Sequence, residues 1–66
     1  MQITLNGKPD DVPERVTVAE FLDERGMGGA ACAVEVNKVL VPKKQHAHHV
    51  LRDGDTVEVV TLVGGG

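Results

Sequence analysis

The chain has 66 residues, with ten acidic and seven basic residues, one cysteine and a net charge of −3. A chain of this length forms one small domain that buries about 60% of its unfolded surface, which excludes an enclosed substrate cavity. The scattered basic residues exclude a nucleic-acid or anionic-membrane surface, and we expect a cytoplasmic monomer without disulfide, signal peptide or membrane span.

The first predicted element is a β-hairpin over residues 2–12. Apolar and polar residues alternate through MQITL, which is the period of a strand with one buried face. Asn6-Gly7 follows, and this dipeptide is typical of a type I′ hairpin turn. Because Pro9 has no backbone N–H, the second arm is predicted to lie at an edge of the sheet or to be short.

The segment TVAEFLDERG contains both a helix start and a helix stop. Thr17 and Glu20 have the spacing of a capping box, in which each side chain accepts a hydrogen bond from the other residue's amide. Gly26 supplies the left-handed residue that commonly ends a helix. The apolar face of this helix, which should cover a sheet, consists of Val18, Phe21 and Leu22.

The second half of the chain predicts three more strands. ACAVEVNKVLVP indicates two short strands joined by a tight turn at Asn37, and Pro42 begins a surface turn or short helix. RDGDTVEVVTLV indicates a turn at Gly54 and a last strand over about residues 56–62. Strand periodicity and turn residues carry these predictions.

This order of elements predicts an α+β fold of the β-grasp (ubiquitin-like) type, a roll with a mixed sheet of four to five strands covered by one helix. The last strand is expected to pair centrally with the first. Residues 1–63 are predicted to form the domain, and 64–66 a flexible glycine tail. The predicted core consists of Ile3, Leu5, Val18, Phe21, Leu22, Val34, Val36, Leu40, Leu51, Val57 and Val59.

The last strand predicts a docking patch. If Val57 and Val59 face the core, then Glu58, Val60 and Leu62 face the other way. Single exposed apolar residues are ordinary, but two of them beside a glycine tail favour a partner-binding surface at Val60 and Leu62.

The tail Gly64, Gly65 and Gly66 suggests chemistry at the terminal carboxylate. Residues without a Cβ can enter a narrow channel, and three of them reach about 10 Å beyond the strand. Activation of a carboxylate as an acyl-adenylate would then allow a sulfur nucleophile to attack it. A triglycine end without a function is the alternative.

The motifs VEVNKVLVP and VLRDGDTVEVVTLVGGG, together with the opening ITLNGK, resemble the ThiS family of sulfur carriers in thiamine biosynthesis. The resemblance extends over essentially the whole chain. Gly65 and Gly66 match the Gly-Gly end of that family, and Gly64 extends it by one residue. The sparse aromatic content, with Phe21 as the only aromatic residue, departs from the family pattern. This departure does not affect the chemistry expected at the tail.

The resemblance implies a protein substrate rather than an enzyme, with no catalytic residue and no bound cofactor. An E1-like adenylyltransferase would use ATP to adenylate the Gly66 carboxylate. Sulfur from a cysteine desulfurase would convert it to a thiocarboxylate, and thiazole synthase would consume that sulfur. The alternatives are the small subunit of molybdopterin synthase, a ubiquitin-like modifier conjugated through Gly66, and a regulatory β-grasp module without tail chemistry.

Other residues could be considered as metal ligands or catalytic groups, but their pattern favours a structural interpretation. His46, His48 and His49 lack a third or fourth zinc ligand of suitable placement and are interpreted as a solvated or partly packed turn, with no metal. Cys32 has no evident base and is interpreted as a small buried side chain. The charged residues interpreted as solvated surface are Asp10, Asp11, Glu14, Lys43 and Lys44.

Overall fold

The computed structural model describes residues 1–28 and 31–61 of the chain. Within them, five strands form one sheet, and one α-helix packs on one face of that sheet. None of the helices in these two segments is long and apolar enough to cross a membrane. The elements are β1 (Gln2–Leu5), β2 (Lys8–Asp11), α1 (Val18–Glu24), β3 (Cys32–Val36), β4 (Val39–Val41), a 3-10 helix (Lys43–Gln45) and β5 (Thr56–Thr61).

The strand order is β2-β1-β5-β3-β4, which places β5 at the centre of the sheet. Strands β1 and β5 run parallel, whereas the other neighbouring pairs run antiparallel. Strand β2, which contains Pro9, lies at an edge as predicted. The predicted α+β fold, with the last strand paired centrally to the first, is confirmed.

Tight turns join the strands where the sequence predicts them. Asn6 and Gly7 have φ values of 49° and 85°, as a type I′ turn requires at both central positions. Asn37 and Lys38 have φ values of 53° and 69° and join β3 to β4 in the same way. Gly54 has a φ of 86°, and its N–H donates to the Gln2 carbonyl at 2.8 Å, which ties this turn to β1.

Helix α1 begins and ends at the predicted residues. The Glu20 amide donates to Thr17 Oγ1 at 3.1 Å, and the Thr17 amide donates to Glu20 Oε1 at 2.9 Å, so the capping box is complete. At the other end Gly26 has a φ of 74°, and its amide donates to the Asp23 carbonyl at 3.1 Å. These local bonds satisfy backbone groups that a helix end otherwise leaves unpaired.

The core lies between α1 and the sheet. Leu5, predicted as core, is half-buried and packs against it. Leu40, also predicted as core, is 59% exposed, and that prediction was wrong. The register pairs Leu40 with the exposed Glu35, whereas Val41 pairs with the buried Val34. The buried apolar residues are Ile3, Val12, Val16, Val18, Phe21, Leu22, Val34, Val36, Val41, Leu51, Val57 and Val59.

One ion pair joins the edge strand to the end of the helix. Arg25 donates to the Asp10 carboxylate from both terminal guanidinium nitrogens, Nη1 and Nη2, the latter at 2.9 Å. The hydrogen bond from Arg25 lowers the pKa of Asp10 below its ordinary value. The Arg25 guanidinium also lies 5.0 Å from the centre of the Phe21 ring. Asp10, interpreted from the sequence as solvated surface, therefore also belongs to a small network between β2 and α1.

Candidate functional site

Strand β5 presents one face to the core and the other to solvent. Val57 and Val59 are buried, and Glu58 and Val60 are exposed, as the alternation in the sequence predicts. Val60 is 59% exposed, which is high for a large apolar side chain on a central strand. The expected outward direction of Val60 is thus observed; its role in partner binding stays a prediction.

The exposed face that contains Val60 continues across the neighbouring strands β3 and β4. Glu35 on β3 lies opposite Glu58 on β5 and also opposite Leu40 on β4. Ala33 lies opposite Val60. We refer to these five residues, Ala33, Glu35, Leu40, Glu58 and Val60, as the outer patch. The alternation along β5 already placed Glu58 and Val60 on this face, whereas Ala33, Glu35 and Leu40 join them only through strand pairing.

The side chain of Asn6 holds β5 beyond the end of β1. Its Oδ1 accepts from the Val59 amide at 2.9 Å, and its Nδ2 donates to the Val59 carbonyl at 3.2 Å. The Asn6 amide also donates to the Val57 carbonyl at 2.9 Å. On the other side, β5 pairs with β3 as far as Thr61. Both flanks of β5 are therefore held next to the exposed Val60.

We expect Asn6→Gly to destabilise the domain by about 1–3 kcal/mol, because it removes both side-chain bonds while allowing the positive φ. Urea unfolding and hydrogen exchange at the Val59 amide measure this. Lys38→Gly is the matched control, since Lys38 has a φ of 69° in a turn of the same kind, and we expect it to be neutral or stabilising. Equal losses in both variants would contradict the role of the Asn6 side chain.

The three histidines do not form a shared site in the described residues. His46 is buried, with its Nε2 within 3.0 Å of the Val41 carbonyl, which makes it a donor to that oxygen. His48 is exposed and His49 half-buried. Residues 1–28 and 31–61 contain no group of three or more His, Cys, Asp or Glu side chains placed to hold a metal ion.

Cys32 begins β3 and is half-buried against the core. Its Sγ lies 3.8 Å from the Met27 carbonyl. Its partner across the sheet is Thr61 at the end of β5. The thiol packs as a small side chain, as its sequence context favoured.

The remaining predicted site residues lie outside the described residues. These are Leu62 in the docking patch and Gly64, Gly65 and Gly66 in the tail. Thr61, the last described residue before them, ends the central strand β5. Their predicted roles stay predictions.

A mixed five-stranded sheet with a central last strand and one helix on a single face defines a small protein of the β-grasp, ubiquitin-like class. The family model for the ThiS family matches residues 3–66. The chain therefore belongs to the ThiS family.

Individual relatives agree with this assignment. The chain is 32% identical over 66 residues to the sulfur carrier protein ThiS of Escherichia coli K12, covering 100% of both chains. A crystal structure of the thiamine biosynthesis protein ThiS of Geobacter metallireducens superposes with a TM-score of 0.85 at 33% identity, with 100% of both chains covered. The chain is also 36% identical over 66 residues to a thiazole synthase of Paramagnetospirillum magneticum, but it spans only 20% of that protein's length.

Proposed function

We propose that this protein carries sulfur for the synthesis of the thiazole ring of thiamine. The observation that carries the proposal is the alignment with the Escherichia coli sulfur carrier, which extends over the whole of both chains and so includes the GGG end. The protein would be consumed and regenerated as a substrate of other enzymes. Its own side chains would perform no catalytic step.

The proposed chemistry takes place at the Gly66 carboxylate. A carboxylate oxygen attacks the α-phosphorus of ATP, pyrophosphate leaves, and an acyl-adenylate forms. A persulfide sulfur then attacks the acyl carbon and AMP leaves. Cleavage of the resulting S–S bond by a thiol releases the thiocarboxylate. ATP belongs to the adenylating partner, and this chain would bind no cofactor of its own.

Glycine suits this chemistry for a steric reason. Without a Cβ, Gly64 and Gly65 can pass through a narrow channel, and Gly66 leaves the carbonyl carbon open to attack. Ordering a glycine segment in a partner's active site costs about 1–2 kcal/mol of backbone entropy per residue. Contacts made by the folded domain must offset that cost, and the outer patch, at Val60 and its neighbours, is the surface we assign to them.

The proposed partners follow from the same scheme. They are an E1-like adenylyltransferase, a cysteine desulfurase that supplies the persulfide, and thiazole synthase as acceptor. The match to one fifth of a Paramagnetospirillum thiazole synthase supports the last of these, because a segment similar to this chain is part of a protein with that name.

Intact-mass measurement tests the proposal. The chain is incubated with its adenylating enzyme, ATP, a desulfurase and cysteine. We expect the mass to rise by the exchange of one oxygen for one sulfur, and the product to support thiazole formation by thiazole synthase. Covalent attachment to a second protein would instead indicate a modifier, and support of molybdopterin synthesis alone would indicate the related synthase subunit.

We expect Val60→Asp to raise the KM of the adenylating enzyme for this carrier about tenfold, since it places a charge in an apolar contact. Val39→Asp is the matched control, because Val39 is 66% exposed but lies on β4 opposite the buried Val36. Steady-state pyrophosphate release measures KM, and urea unfolding measures stability. A larger loss of stability than of affinity in Val60→Asp, or equal KM values in both variants, would contradict the assignment.

A further inference from the structure

The outer patch contains two carboxylates that face each other. Glu35 and Glu58 are directly paired in the antiparallel register of β3 and β5, and both are exposed. Side chains at such positions have Cβ atoms about 4.5–5.5 Å apart, and like charges there are destabilising. We therefore expect the pair to destabilise the isolated domain at the centre of its sheet.

No basic side chain in residues 1–28 and 31–61 forms an ion pair with Glu35 or Glu58. On the β4 side, the residue opposite Glu35 is Leu40. On the β1 side, the Asn6 side chain is bonded to the Val59 backbone. Among residues 1–28 and 31–61, the only ion pair is that of Arg25 with Asp10. The negative charge of the two glutamates is therefore available to another molecule.

Apolar side chains flank the two carboxylates. Leu40 and Val60 are each 59% exposed, and both belong to the outer patch. A surface with two carboxylates beside exposed apolar side chains is complementary to a partner surface with a basic side chain beside apolar ones. Strand β5 also continues in sequence into the tail, so a protein bound here lies next to the segment that the proposed chemistry uses.

We propose that the adenylating partner places an arginine between Glu35 and Glu58, with apolar contacts to Leu40 and Val60; this rests on the proposed function. A guanidinium is planar and carries five N–H donors, so it can bond two carboxylates at once. Charge-assisted bonds of this kind are about twice as strong as neutral ones. Binding converts a repulsive pair into an attractive bridge.

This arrangement has a signature that a purely structural role lacks. Removing one charge relieves repulsion in the free domain, so Glu35→Gln and Glu58→Gln should each raise the unfolding midpoint by about 1–4 °C. The same change removes half of the arginine site, so KM for the carrier should rise about fivefold, with kcat unchanged. Stability and binding therefore move in opposite directions.

The test measures KM, kcat and the unfolding midpoint for these two variants with the adenylating enzyme at low and high salt. Glu14→Gln is the matched control, because Glu14 is exposed and carries the same charge but lies before α1. It should leave KM near the wild-type value. Glu58→Asp keeps the charge and should largely retain the affinity. KM of the wild type should rise with salt more steeply than that of the double glutamine variant.

Unchanged KM in both glutamine variants, or an equal rise in Glu14→Gln, would overturn the arginine site while leaving the carrier function intact. A fall in the unfolding midpoint would overturn the repulsion on which it depends. Failure of the wild-type chain to be adenylated would overturn the proposed function, and the arginine site with it.

Discussion

Deletion of Gly66 should lower the rate of thiocarboxylate formation by about 100-fold or more without unfolding the domain. The shortened chain still ends in Gly-Gly, but its carboxylate lies about 3.3 Å short of the reacting phosphorus. A misplacement of 1 Å already costs about 100-fold in rate. In the part of the chain that the structure describes, the buried apolar residues lie between Ile3 and Val59, far in sequence from Gly66. Intact-mass kinetics measure the rate, and circular dichroism measures folding.

The matched variant Gly65→Leu tests the width of the partner's channel separately from the length of the tail. It keeps the reach of the chain but adds a side chain one residue before the carboxylate, so adenylation should slow if the tail enters a narrow channel. A truncated chain that forms thiocarboxylate at half the wild-type rate would contradict the role of Gly66. Normal adenylation of Gly65→Leu would contradict only the prediction that the tail passes through a narrow channel. The role of Gly66 would be unaffected.

Phe21→Ala should destabilise the domain by about 3–5 kcal/mol, the usual cost of deleting a buried ring. Phe21 is 1% exposed and is the largest fully buried side chain among the described residues. A 66-residue chain has a total stability of only about 3–10 kcal/mol at ordinary values per residue. The variant should therefore be partly or wholly unfolded at 25 °C, as measured by urea titration followed by circular dichroism.

Two controls accompany this variant. Phe21→Leu keeps most of the apolar volume and should cost about 1–2 kcal/mol. Val39→Ala changes an exposed side chain and should stay within about 0.5 kcal/mol of the wild type. A folded Phe21→Ala with stability close to that of Val39→Ala would show that the core does not depend on the ring.

The two proposals assign different tasks to the glycine tail and to the outer patch. The tail would deliver a reactive carboxylate, and the outer patch would supply the binding energy that holds it in place. The Asn6 side chain connects these tasks, because it fixes β5 at Val59, beside Val60. Variants of Asn6 and of the outer patch should thus change KM, whereas variants of the tail should change the chemical step.

Local signals in the sequence were sufficient for most of the secondary structure. Asn6-Gly7 and Gly54 have the positive φ values that their turns require, and Thr17 and Glu20 close the predicted capping box. Each of these features depends on residues within three or four positions of one another, so a short stretch of sequence determines it. The resemblance to the ThiS family, carried by motifs along the chain, was confirmed by the match to residues 3–66.

Only the tertiary structure decided which residues of separate strands share a face. Leu40 was predicted inside and lies outside, because the pairing of β4 with β3 sets its direction and an apolar run of three residues has no period that reveals it. The burial of His46 and the facing of Glu35 and Glu58 likewise depend on contacts between distant segments. The role of the glycine tail stays a prediction. Local sequence determined the turns and the helix, whereas strand register, which is set by long-range packing, determined the outer patch.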